Sequence, residues 1–112
     1  MRCLNLKENG ATVEYALAVL EIEIESAKKA GEVAIKILHG YGSHGRGGAI
    51  LNELKKQLRI WKRAGFIKDY FSGDKWNISD EKTINILNLD KNIFGDEDLN
   101  KSNPGISIIQ IN

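Results

Sequence analysis

The spacing of apolar residues between positions 13 and 30 predicts a long amphipathic helix. Apolar side chains recur there at steps of four and three residues, which places them on one face of an α-helix and leaves charged residues on the others. These apolar residues are Val13, Leu17, Leu20, Ile24 and Ala27. Thr12 is suited to cap the first turn, and Gly31 is a natural stop.

Four shorter apolar segments predict β-strands. Residues 33–38 are almost continuously apolar, which is typical of a strand buried on both faces of a sheet. Segments 2–6, 66–71 and 106–111 are bounded by turn residues, and we predict a strand in each of them.

Two further helices complete the predicted elements. The apolar residues Leu51, Leu54, Leu58 and Trp61 recur at helical spacing, and we assign Leu58 and Trp61 to the core. This helix ends near Ala64 and Gly65. Residues 80–89 fit a helix or a strand; we favour a short helix capped by Ser79 or Asp80.

The order of elements, βαβαβ(α)β, predicts a two-layer α/β sandwich with a mixed sheet of about four strands. The 112 residues correspond to a single domain over positions 1–112, in which residues 74–103 form an extended third connection. No apolar run is long enough to span a membrane and no secretory signal is evident, so we expect a cytoplasmic protein. The single cysteine, Cys3, excludes a disulfide framework and a cysteine-rich zinc site.

The formal net charge of +1 conceals an uneven distribution. Residues 1–45 have a net charge of −1 and residues 69–112 one of −4, whereas residues 46–68 combine seven basic residues with one acid, a net charge of +6. The basic residues are Arg46, Lys55, Lys56, Arg59, Lys62, Arg63 and Lys68. Such a segment is a candidate phosphate-binding surface, although a solvated helix face has the same composition.

A glycine-rich loop, residues 39–48, connects the buried strand to this basic helix. It reads His-Gly-Tyr-Gly-Ser-His-Gly-Arg-Gly-Gly. Glycines allow close approach to a phosphate, and free amides at a helix N-terminus favour an anion. The spacing matches neither a Walker loop nor a dinucleotide-binding fingerprint. A connector whose glycines only satisfy turn geometry is the alternative.

Three features together resemble the Smr domain, the small MutS-related domain. His39, Gly40 and Gly42 match its His-Gly-x-Gly motif. Residues 12–17, Thr-Val-Glu-Tyr-Ala-Leu, match its Thr-Val-Glu-x-Ala-Leu helix start, and a final strand follows Gly105. The resemblance implies a fold like the C-terminal domain of translation initiation factor three. It also implies binding to DNA or RNA and, in some members, endonuclease activity assisted by Mg²⁺ or Mn²⁺.

The chain departs from the family in the Leu-Asp-Leu-His motif at the end of the first strand. That position here reads Leu-Asn-Leu-Lys, with Asn5 and Lys7 in place of the aspartate and the histidine. An aspartate can bind a divalent cation or act as a base, whereas the amide of Asn5 has no charge and is a poor base. A lysine stays protonated unless it is desolvated. Lys7 still suits phosphate, so the substitutions favour binding over cleavage.

Several residues each allow two interpretations. His39 is either a phosphate ligand or proton-transfer group, or it hydrogen-bonds the loop backbone. Tyr41 could stack on a base or pack on a neighbouring connection, and His44 could contact a ligand or solvent. Arg46 is a phosphate candidate where the helix begins. Trp76 is either a lid over the site or an anchor of the third connection, and we favour the anchor. The acids Asp96, Glu97 and Asp98 could bind a cation or form a polar turn, and we favour the turn.

Three functions remain as hypotheses. The first is a nucleic-acid-binding domain with a role in DNA repair, recombination or RNA quality control. Its candidate contacts are Lys7, His39, Gly40, Tyr41, Gly42, His44, Arg46, Lys55, Lys56 and Arg59. The second is a nuclease that uses His39 with a metal or with a carboxylate, for which Asp74 is the nearest candidate. The third is a protein-interaction module that uses the acidic third connection.

Overall fold

The computed structural model describes residues 1–6, 12–40 and 45–111, with residues 45–49 described by their backbone alone. The strands are Arg2–Asn5 (β1), Ala34–Leu38 (β2), Asp69–Ser72 (β3) and Ile106–Gln110 (β4). The helices are Val13–Lys29 (α1), Gly45–Ala64 (α2) and Glu81–Leu89 (α3). Short 3-10 turns at Gly73–Lys75 and Lys91–Gly95 flank α3.

The four strands form one mixed sheet in the order β1-β2-β4-β3. β1 and β2 are parallel, and β4 is antiparallel to both β2 and β3. The final strand therefore lies between the two strands that α2 connects, and β1, β2 and β3 all end at the same edge of the sheet. The predicted α/β sandwich with a four-stranded mixed sheet is confirmed.

The first helix follows the prediction closely. Thr12 is its N-cap, and the Thr12 hydroxyl accepts a hydrogen bond from the Tyr15 amide at 3.1 Å. Lys28 and Lys29 in the last turn suit the negative end of the helix dipole. Gly31 has a φ of +74°, the left-handed conformation that ends many helices.

One core lies between the sheet and the helices α1 and α2. Leu20, Ile24, Leu54 and Leu58 of these helices are buried against alternate residues of β2 and β4, among them Ile37. Trp61 is buried in the same core, so the assignment of Leu58 and Trp61 is confirmed.

A second core lies on the opposite face of the sheet, under the third connection. Trp76, Ile86 and Ile93 pack there against Phe71 and Ile108. The Trp76 side chain is completely buried, so the anchor interpretation is confirmed and the lid is wrong. Asp80 caps α3 through a hydrogen bond from the Lys82 amide, which confirms the predicted helix. Residues 74–103 thus add a third layer, on the opposite face of the sheet, to the two layers that the sequence predicted.

The third strand begins three residues later than predicted. Gly65 has a φ of +80°, and the amides of Phe66 and Ile67 both donate to the Trp61 carbonyl, which closes the end of α2. Phe66 also packs edge-on against Trp61, with ring centroids 5.4 Å apart. The apolar residues at 66 and 67 therefore serve the helix end and the core, and β3 begins at Asp69.

In the described part of the chain, no helix combines the length and apolar character that crossing a bilayer requires.

Candidate functional site

The glycine-rich loop leaves the sheet at the edge where β1 and β2 both end. Asn5 is the register partner of Leu38, and the Leu6 amide donates to the Leu38 carbonyl at 2.8 Å. Lys7 follows directly along the chain after one strand, and His39 and Gly40 follow after the other. The structure thus brings the end of β1 and the start of the glycine-rich loop to one edge of the sheet.

His39 is buried, and both of its ring nitrogens have protein partners. Nδ1 lies 2.6 Å from the Gly40 carbonyl oxygen, and Nε2 lies 2.8 Å from the Ser107 hydroxyl. A carbonyl can only accept, so Nδ1 donates, and in a neutral ring Nε2 accepts from the Ser107 hydroxyl. This hydrogen bonding ties the end of β2 to the start of β4.

The pKa of His39 lies below that of an ordinary histidine. Burial is the main cause, because it disfavours the charged ring. The positive charge of Lys55 lowers the pKa further, and the carbonyls of Gly40 and Ile106, which raise it, do not compensate. A neutral ring is therefore favoured, which adds no positive charge for a phosphate.

The backbone at the start of the loop is held against β4. The amides of His39 and Gly40 both donate to the Gly105 carbonyl, each at 3.0 Å. Gly40 has a φ of +74°, a conformation that favours glycine. A Cβ atom on Gly105 would lie 3.6 Å from the Cα atom of Gly40. Because these two amides already have an acceptor, a phosphate would have to be bound by other groups.

Asn5 projects toward the other face of the sheet. Leu4 and Leu6 pack on the core beneath α1 and α2, and alternation along the strand turns Asn5 toward the face that the third connection covers. The carboxylate candidate Asp74 is exposed, in the turn after β3, and β4 separates that strand from β2. Neither residue shares the surroundings of His39.

The basic face of α2 is exposed to solvent. Lys55, Lys56 and Arg59 all have exposed side chains. Lys56 lies 3.4 Å from Glu53, a surface pair of little strength. Within the part of the chain that the structure describes, Lys55 and Arg59 form no ion pair, and the positive charge of Lys55 contributes to the lowered pKa of His39.

The other predicted contacts fall outside the described residues. These are Lys7, Tyr41, Gly42 and His44, together with the side chain of Arg46, whose backbone belongs to the first turn of α2. They stay predictions.

A buried cluster around Lys36 was not predicted. The Lys36 ammonium donates to Asp96 at 2.8 Å and to Asp98 at 2.7 Å, and the Trp76 indole also donates to Asp96 at 2.9 Å. Burial works against the charge of Lys36, but these hydrogen bonds outweigh it and raise its pKa, while the bond from Lys36 lowers the pKa of Asp98. The polar turn therefore encloses an internal cation. A lone lysine within an apolar strand was the signal in the sequence.

The described residues near His39 do not fit a divalent metal. Mg²⁺ and Mn²⁺ prefer oxygen ligands, and the two ring nitrogens of His39 are hydrogen-bonded to the Gly40 carbonyl and the Ser107 hydroxyl. More broadly, the described part of the chain contains no cluster of three His, Cys, Asp or Glu side chains able to hold a metal ion.

Comparisons of the chain with protein-family models, with curated proteins and with solved structures found no significant match. The resemblance to the Smr domain therefore rests on the residues of the sequence alone.

Proposed function

We propose that this chain is an Smr-like nucleic-acid-binding domain that contacts the phosphate backbone of DNA or RNA with the basic face of α2. The observation that supports this best is the state of Lys55 and Arg59. Both are exposed, they are one helical turn apart, and neither is in an ion pair within the described residues. Lysine and arginine side chains left free in this way suit phosphate oxygens.

The charge distribution supports a localised site. Residues 46–68 have a net charge of +6, and the rest of the chain is acidic. Lys36, outside this segment, is paired internally with Asp96 and Asp98, so that lysine is not available to a ligand. A polyanion would therefore meet its attractive surface mainly along α2.

Binding fits the surroundings of His39 better than cleavage does. A general base needs a ring nitrogen that reaches the reacting proton, and Nε2 of His39 is taken up by Ser107 inside the protein. The nearby strand end carries Asn5 in place of an aspartate, and its side chain faces away from His39. We therefore assign His39 to the support of the loop, and the loop together with α2 to phosphate binding.

Binding curves at two salt concentrations test the proposal. Fluorescence anisotropy with branched DNA, duplex DNA and structured RNA would be measured at about 50 and 200 mM salt, over which phosphate contacts lose affinity steeply. We expect the logarithm of the affinity to fall linearly with the logarithm of the salt concentration, with a slope of roughly −0.9 per duplex phosphate contact. An affinity that does not change with salt would contradict the proposal.

The same preparation tests cleavage. Supercoiled DNA and RNA would be incubated with the protein, with and without Mg²⁺ or Mn²⁺. Intact substrates are the expected result. Cleavage that disappears in a folded His39→Ala variant would overturn the assignment of His39 to a supporting role and would favour the nuclease.

A further inference from the structure

A polar cleft lies at the edge of the sheet opposite to His39. It opens between the C-terminal end of α2, the start of β3 and α3, and it has a volume of about 570 Å³. Sites for small molecules have volumes of roughly 300–1,000 Å³. No residue of this cleft belongs to the loop or strand ends described above.

One wall of the cleft presents carboxamides. Asn85 and Asn88 lie one turn apart on α3, and both side chains are exposed. Neither caps the helix, since Asp80 and Asp90 occupy the cap positions. Within the described residues their side-chain carboxamides make no hydrogen bond, and asparagine disfavours a helix interior. Gln110 of β4, itself buried, adds a third carboxamide to the lining.

The opposite wall is basic. Lys62 donates to Asp69 at 2.9 Å, and Lys82, which belongs to α3 and does not line the cleft, lies 3.3 Å from the second carboxylate oxygen of Asp69. Burial would raise the pKa of Asp69, but these two lysines and the Tyr70 amide hold it below its ordinary value. One carboxylate thus faces two lysines.

Lys68 adds a further positive charge to this wall. Its side chain is exposed, its amide donates to the Gln110 carbonyl at 2.9 Å, and it forms no ion pair among the described residues. With Lys62 and the single carboxylate of Asp69, the other charged residues that line the cleft, it leaves an excess of one positive charge.

From these two walls we infer that the cleft binds a nucleoside phosphate, with the base against Asn85 and Asn88 and the phosphate beside Lys68. A carboxamide presents a donor and an acceptor side by side, as the edge of a nucleobase does. The exposed side chain of Leu89 offers an apolar surface next to the amides. The excess positive charge suits the phosphate.

The position of the cleft relates it to the basic face of α2. Lys55, Arg59 and Lys62 follow one another at helical spacing, and the seven residues from Lys55 to Lys62 span about 10 Å along the helix axis. The nucleoside phosphate can therefore be a free mononucleotide or an unpaired nucleotide of a strand that follows α2. The second source rests on the function proposed above.

Titration of the whole chain with defined probes tests the inference. The probes are AMP, GMP, CMP and UMP, ribose 5-phosphate as a ligand without a base, and a short single-stranded oligonucleotide. Amide resonances of Asn85, Asn88 and Gln110 would be followed by NMR, and affinities by calorimetry. We expect mononucleotides to shift these resonances, and ribose 5-phosphate to bind more weakly.

Variants identify the groups involved. Asn85→Ala with Asn88→Ala should weaken mononucleotide binding about tenfold or more, because hydrogen bonds to the base are lost. Asn92→Ala, an exposed asparagine outside the cleft, is the matched control and should leave the affinity unchanged. Asn88→Asp keeps the shape of the side chain and should repel the phosphate. Thermal unfolding would show that each variant is folded.

The outcomes separate this inference from the proposed function. If neither mononucleotides nor the oligonucleotide shift the cleft resonances, the inference is overturned. If nucleic acid binds with a salt-dependent affinity while the cleft resonances stay still, the inference fails and the proposed function stands. If mononucleotides bind in the cleft but no polynucleotide binds, the inference stands and the proposed function fails.

Discussion

The Nε2 atom of His39 lies 2.8 Å from the Ser107 hydroxyl, across 68 positions of the sequence. This hydrogen bond joins the end of β2 to the start of β4, and the His39 ring is only 4% exposed. A histidine that the sequence suggested as a phosphate ligand thus has a structural partner on each ring nitrogen. Its contribution to stability should depend on pH.

Stability should decrease on acidification because of His39. Its pKa in the folded protein lies below that of an unfolded histidine, so the unfolded chain binds a proton first as the pH falls. The contribution of His39 to the free energy of unfolding is complete above about pH 6.5. It is lost as the pH falls from there through the pKa of His39 in the folded protein. Urea unfolding of the protein and of His39→Gln at several pH values measures it. The difference between the two should shrink on acidification; a difference that grows would indicate a charged ring in the fold.

Removal of the Lys36 charge should destabilise the protein strongly. Lys36→Met leaves Asp96 and Asp98 close together without their cation, and breaking a buried ion pair in this way costs about 3–5 kcal/mol. The free energy of unfolding in urea measures the loss. Lys91→Met, at an exposed position, is the matched control and should stay within about 0.5 kcal/mol of the original chain.

A triple variant checks the cause of that loss. Asp96→Asn and Asp98→Asn, added to Lys36→Met, remove the repulsion between the carboxylates, so part of the lost stability should return. If Lys36→Met alone unfolds like the original chain, the cluster does not stabilise the third connection.

Gly73 should not tolerate a side chain. It is buried in the turn directly after β3, where a Cβ atom would collide with the Asn103 carbonyl and lie 2.5 Å from the Ile106 side chain. Gly73→Ala should therefore cost about 1–3 kcal/mol, as overpacking does. At Gly95 nothing lies within 4 Å of such an atom, and Gly95→Ala should change the unfolding free energy by less than about 0.5 kcal/mol. Equal effects in thermal or urea unfolding would contradict the close approach.

Loss of two α2 charges should weaken nucleic-acid binding and its salt dependence together. Lys55→Ala with Arg59→Ala removes two candidate phosphate contacts, so the slope of log affinity against log salt should decrease by roughly 2 for duplex DNA. Lys91→Ala with Lys101→Ala removes the same charge from exposed positions of the third connection and should leave the slope unchanged. Anisotropy titrations measure both variants. Equal losses would show that net charge alone governs binding.

Local features of the sequence predicted most of the fold. Thr12 and Asp80 cap their helices as expected, because capping depends on residues only two or three positions away. The apolar segment at residues 33–38 indicated burial on both faces, and Ala34, Ile35 and Ile37 are buried. The start of β3 was misplaced, since Phe66 and Ile67 are apolar for reasons of helix ending and core packing.

The candidate site was predicted less completely. The glycine-rich loop and the basic residues that follow it in the chain indicated His39 and α2 as candidates. The pairing of β1 with β2 places Asn5 near the edge of the sheet where β2 ends. The partners of His39 come from β4, at the far end of the chain, and no local pattern points to them. No sequence pattern indicated the carboxamides of Asn85 and Asn88, because isolated asparagines in a short helix have no periodic signal.

The sequence by itself determined the helices, the strands and their order, because periodicity and capping act between residues a few positions apart. Only the tertiary structure decided that β4 lies between β2 and β3. That placement joins Ser107 to His39 and forms the cleft beside Gln110, while the folded third connection carries Asp96 and Asp98 to Lys36. These contacts span 60 to 68 positions. They depend on closure of the whole chain around two cores, which local spacing does not encode.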